Sequence, residues 1–160
     1  MSDDRGRRAL LRHTLATLAY RGAKAFRDAP PGFSDVRAAP GSRSAGEVLA
    51  HIADLLDWGV GLAQGRHTWK ESPVLPWAEG VARFHTALER FDTALAGPDG
   101  LGFSAEQLFQ GPIADSFTHV GQISMLRRLA SAPVKGENYV KADIAAGRVS
   151  QVQSAPNVEF

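Results

Sequence analysis

Asp115, His119 and Gln122 are the residues of this chain whose types and spacing point most directly to chemistry. They fall in the run Asp115-Ser116-Phe117-Thr118-His119-Val120-Gly121-Gln122-Ile123-Ser124-Met125-Leu126-Arg127-Arg128-Leu129, which reads as one helix. Residues four apart project from the same helix face, so Asp115 and His119 pair a carboxylate with an imidazole. Gln122 and Leu126 continue their line. Polar groups in register with an apolar seam are costly to bury unless each finds a partner. That partner can be a side chain, water or a metal ion.

A further candidate lies upstream. His51 shares the line Val48, His51, Leu55, Trp58, Leu62 of another apolar-periodic segment and should face inward. Bundle cores build metal sites from facing helices with ligands at one-turn spacing. His51, Asp115 and His119 would then offer two imidazoles and one carboxylate, leaving positions open for water or substrate. Zinc accepts such a set in catalytic sites. Nickel, iron and manganese accept it too, and residue types alone do not choose among them.

Each group also has a reading without metal. An inward histidine can be a hydrogen-bonded core residue. An Asp four residues before a His can be a surface pair contributing about 0.2–0.5 kcal/mol. A carboxylate in the first turn of a helix also suits the helix dipole.

The elements that must position these residues are four helices. The first spans about 3–27, with Leu11, Leu15, Leu18, Gly22 and Phe26 at helical spacing, and Pro30-Pro31-Gly32 stops it. The second spans about 44–63, opened by the capping box Ser44-Ala45-Gly46-Glu47. The third spans about 77–95 on the seam Trp77, Val81, Phe84, Leu88, Phe91, Leu95. The fourth spans about 112–131, entered through Gly111-Pro112 and stopped by Ala132-Pro133.

Between the third and fourth, 101–110 reads as irregular or a short helical turn. The 134–160 tail reads as irregular, with a possible short helix ended by Gly147 and an extended last dozen residues. His13 and Tyr20 read as boundary residues with wet polar ends, and His85 as a boundary histidine beside the third seam, with lining a pocket as its alternative. Trp58, Trp69 and Trp77 read as core and loop anchors that can also line a cleft. Four helices with one apolar stripe each make an all-α four-helix bundle, with 1–160 as one domain.

The chain has 160 residues, is 44% hydrophobic and carries a formal net charge of +1, which disfavours disorder and gives nucleic acid or anionic membrane no electrostatic hold. The cluster Arg5, Arg7, Arg8 and Arg12 reads as a solvated helix face. There is no cysteine, so disulfides, thiolate catalysis by the protein and Cys-based zinc sites are excluded. No signal peptide or membrane-length apolar run is visible, and a cytoplasmic protein is the expectation. Two-fold dimerisation through a bundle face is compatible with this pattern, but nothing in the sequence fixes the face.

The motifs Ala45-Gly46-Glu47-Val48-Leu49-Ala50-His51-Ile52 and His119-Val120-Gly121-Gln122-Ile123 with Leu126-Arg127-Arg128 resemble those of the DinB-like (YfiT-like) family of metalloproteins. Gly136-Glu137-Asn138-Tyr139 resembles the tail of a subgroup. The resemblance covers nearly the whole chain. It implies an up-down-down-up bundle with a divalent metal held by one histidine of helix two and two in His-x-x-x-His of helix four. His51 and His119 match two of these ligands, and Asp115 stands where the family has the third histidine.

Zinc or nickel is the leading expectation, with iron or manganese behind. The resemblance also implies a small-molecule substrate and a low-molecular-weight thiol, in a transferase or isomerase reaction; hydrolysis by activated water is the related option. Gln122 would steady a ligand or touch substrate. The alternative is a non-catalytic metal-binding or stress-associated interaction protein.

Overall fold

The structure is a computed structural model that describes residues 2–160. Helix α1, Ser2–Phe26, buries Leu11, Leu15, Leu18 and Phe26. Helix α2, Ala45–Ala63, starts where the capping box requires. The Ser44 side chain accepts from the Glu47 N–H at 3.2 Å, and the Ser44 N–H donates to Oε2 of Glu47 at 2.6 Å. Helix α3, Trp77–Ala96, buries Val81, Phe84, Leu88, Phe91 and Leu95.

The last long helical stretch begins earlier than its sequence suggests. Ser104 and Gln107 form a second capping box for the short helix α4, Ala105–Leu108. The chain then passes through a π turn, Phe109–Ile113, into α5, Ala114–Leu129. Pro112 sits inside that turn rather than opening the helix. A π turn is a local widening of the helix, frequent at functional sites.

Helix directions follow from pairs of residues in contact. Arg12 on α1 reaches Asp92 on α3 at 2.8 Å while Gly22 lies against Phe84, so these helices are antiparallel. Leu49 meets Gly80 and Gly59 meets Phe91, so α2 and α3 run parallel. A β-carbon at Gly59 would lie 2.4 Å from the Phe91 ring, so this close approach requires glycine. Trp58 of α2 faces Gly111 and His51 faces His119, so α2 and α5 are antiparallel. Arg7 pairs with Glu106, and Arg127 donates to the Ala25 carbonyl, so α1 and α5 are parallel. The result is an all-helical up-down-down-up bundle with a continuous apolar core.

Parallel α2 and α3 place a demand on the chain between them. Nineteen residues of helix are about 28 Å long, so residues 64–76 must run back along the bundle rather than turn tightly. They do so beside α2. The Ser72 N–H donates to Oδ2 of buried Asp54 at 3.0 Å, and Asp54 also accepts from Arg83 of α3 at 2.6 Å.

The tail is tied down more firmly than a coil reading implies. Of its expected helix, only the 3-10 turn Tyr139–Lys141 forms. Glu137 is buried and accepts from the Tyr20 hydroxyl at 2.5 Å and from Lys24 at 2.7 Å. Lys24 donates to Glu159 as well, at 2.9 Å. Tyr20 is therefore a buried residue with a protein partner, not a boundary residue. His85 is buried too, donating from Nδ1 to the Val149 carbonyl at 2.9 Å. In both cases the tail supplies a long-range cover that local periodicity does not register.

Among the described residues there is no β-strand, and no helix is long and apolar enough to cross a membrane.

Candidate metal centre

His51 is placed by α2, and Asp115 and His119 by α5, on the two facing antiparallel helices. One ligand atom from each residue lies within 4.8 Å of the others, so the group could hold a metal ion. Nε2 of His119 is 3.5 Å from Oδ1 of Asp115, and Nε2 of His51 is 3.9 Å from Oδ2. The two imidazole rings stand edge to face, 4.7 Å between centroids and 89° apart. Tetrahedral zinc with bonds of about 2.0–2.1 Å sets its ligand atoms about 3.4 Å apart. The spacing here is within a side-chain adjustment of that value, so the donor set fits a divalent ion.

The π turn alters how Asp115 must be understood. A carboxylate in the first turn of a helix can be explained by free N–H groups and the helix dipole. Here the Ala114 N–H already bonds to the carbonyls of Phe109 and Gly111, and helical backbone extends back to Ala105. Asp115 is thus an interior position of a longer helical stretch. Its carboxylate faces two histidines instead of capping.

The ring nitrogens are set for ligation. Nδ1 of His119 donates to Oε1 of Gln122 at 2.8 Å, leaving the Nε2 lone pair toward Asp115. Gln122 thus stands against the ligand, with its side chain at the surface. Burial lowers the pKa of His51. Arg43 and His119 add to that effect, and Asp115 and Asp54 oppose it. The neutral, ligating form is favoured. The His51 and His119 side chains are 16% and 12% exposed while Asp115 is 47% exposed, so the cluster opens to solvent on its carboxylate side.

One wall of the site was not evident from periodicity. The 64–76 connection lays Trp69 edge-on to His51, 5.6 Å between ring centroids. Trp58 follows at 6.0 Å from Trp69, His67 at 5.7 Å from Trp58, and Phe103 at 5.9 Å from His67. Nε1 of Trp58 is buried without an acceptor. Trp77 is elsewhere, donating to the Phe26 carbonyl at 3.0 Å and packing on Phe33. The signal for this wall was the density of Trp and His in 58–69, but only the parallel crossover places it over His51.

Two cavities adjoin the histidines. One, about 440 Å³, is lined by His119 and Gln122 together with Arg43, Val48, Met125 and Leu126. The other, about 310 Å³, is lined by His51 with Arg43, Glu47, Asp54 and Glu71. A larger cavity, about 720 Å³, lies between the C-terminal ends of α2 and α3 and touches none of the three. Its lining lacks a cluster of ligands, and chemistry rather than size favours the smaller pair.

No protein-family model, curated protein or solved structure matches the chain.

Proposed function

We propose that this chain is a divalent-metal-dependent enzyme of the DinB-like kind that its helix-two and helix-four motifs resemble, with His51, Asp115 and His119 as the ligands. The observation that carries the reading is the convergence of these three side chains, from two helices, on one point with their donor atoms within 4.8 Å. The up-down-down-up connection supports the resemblance, because periodicity alone does not demand parallel α2 and α3. Zinc or nickel is the proposed ion, ahead of iron and manganese. Such an ion would lower the pKa of a thiol or water that reaches it, so that a nucleophile forms near neutral pH.

The chain's own groups do the rest. Gln122 holds the His119 tautomer. Burial lowers the His51 pKa, which favours its neutral form. Trp69 packs against His51, and the cavity beside His119 and Gln122 admits a small substrate. A chain without cysteine needs its sulfur from a cosubstrate, which fits a low-molecular-weight thiol in a transfer or isomerisation. Hydrolysis by water would use the same groups.

A non-catalytic metal binder is the second reading. It is favoured by one observation: among the described residues no further His, Asp or Glu joins the cluster to act as acid or base. Thiol conjugation to an electrophile such as 1-chloro-2,4-dinitrobenzene separates the two. Turnover by metal-loaded protein, lost with chelator and restored by zinc or nickel, supports the enzyme. Failure with several thiols and electrophiles, at full metal occupancy, supports the binder.

A further inference from the structure

Arg43 lies just before the α2 cap and lines both cavities that adjoin the metal cluster. Among the described residues it is the only lysine or arginine lining either one. Among the described residues it donates no hydrogen bond and forms no ion pair. The nearby carboxylates are otherwise engaged or point elsewhere. Glu47 is bonded to Arg37 and the Ser44 N–H, Asp54 to Arg83 and the Ser72 N–H, and Asp115 faces the histidines. Glu71 is exposed at the rim of the smaller cavity. An unmatched guanidinium at the mouth of a ligand cluster is a ready partner for an anion, since its fork of N–H groups suits a carboxylate.

Resting on the metal-centre reading, we propose that Arg43 binds the carboxylate of an organic monoanion whose other end reaches the ion held by His51, Asp115 and His119. The cavity favours this class. Val48, Met125 and Leu126 offer an apolar wall for a short carbon body between the two polar ends. Glu47, Asp54 and Glu71 line the smaller cavity, which disfavours a more highly charged anion such as phosphate there.

The test uses two thiols that differ in charge, 3-mercaptopropionate and 2-mercaptoethanol, titrated into cobalt-loaded protein and followed by the cobalt–thiolate charge-transfer band. The wild type should prefer 3-mercaptopropionate by about tenfold, the scale of one charge-assisted hydrogen bond near solvent. Arg43→Gln should bind cobalt equally and lose that preference, with 2-mercaptoethanol unaffected. No preference in the wild type, or the same preference in Arg43→Gln, overturns the role of Arg43 and leaves the metal centre standing. A protein that takes up no cobalt overturns both.

Discussion

Nδ1 of His119 donates to Oε1 of Gln122 at 2.8 Å, one turn further along the same helix. The bond fixes which nitrogen of the ring carries the proton and aims the other at Asp115. Outer partners of this kind typically change metal affinity by about 10–100-fold. Because Gln122 is exposed, the lower end applies. Gln122→Leu should bind one equivalent of zinc about tenfold more weakly in competition with a chromophoric chelator, and Gln122→Glu should keep most of the affinity. Equal affinity in Gln122→Leu would show that the bond does not orient the ligand.

His85 should make the fold acid-sensitive. Its Nδ1 is bonded to the Val149 carbonyl, and Nε2 is buried without an acceptor. Burial lowers its pKa below the ordinary 6.5, with the Val149 bond and Glu89 opposing. The unfolded chain therefore binds the proton more readily than the folded one, and protonation favours unfolding. Stability is full above about pH 6.5 and falls below it, by at most about 1.4 kcal/mol per pH unit from this group. Urea midpoints at about pH 7.5 and about pH 5 should differ less in His85→Phe than in the wild type. An equal difference in both would mean that other groups set the acid limb.

Lys24 and Glu137 form a buried pair, with side chains 5% and 0% exposed, and Glu159 and Tyr20 complete their bonds. Burial alone would lower the Lys24 pKa, but the bonds to both glutamates outweigh it and the net shift is upward. Lys24→Met leaves the Glu137 carboxylate buried with only the Tyr20 hydroxyl. It should destabilise the protein by about 3 kcal/mol in urea unfolding. Arg90→Ala, which breaks an exposed pair with Asp57, should cost under about 1 kcal/mol. Similar losses from the two changes would contradict a tail anchored by a buried ion pair.

The parts of the molecule that were legible in the sequence are those set by local chemistry. Ser44 and Glu47 cap α2 at the position their spacing implies, and the apolar lines of α2 and α3 face the core. The line through His51 and the spacing of Asp115 and His119 likewise depend only on helical geometry. The burial of Tyr20 and His85 is not legible locally, because their partners, Glu137 and Val149, lie 117 and 64 residues away. Pro112 suggested a helix start because it lacks an N–H, yet the π turn accommodates it within a longer stretch. Trp69 reaches His51 only because α2 and α3 run parallel, which makes the connection travel along the bundle.

Metal stoichiometry of protein purified without a histidine tag bears most directly on the centre formed by His51, Asp115 and His119. After reconstitution the wild type should hold about one equivalent of zinc or nickel, and Asp115→Ala and His119→Ala should each lose it while remaining folded. Less than about a tenth of an equivalent in the wild type, or full occupancy in both variants, would contradict the assignment.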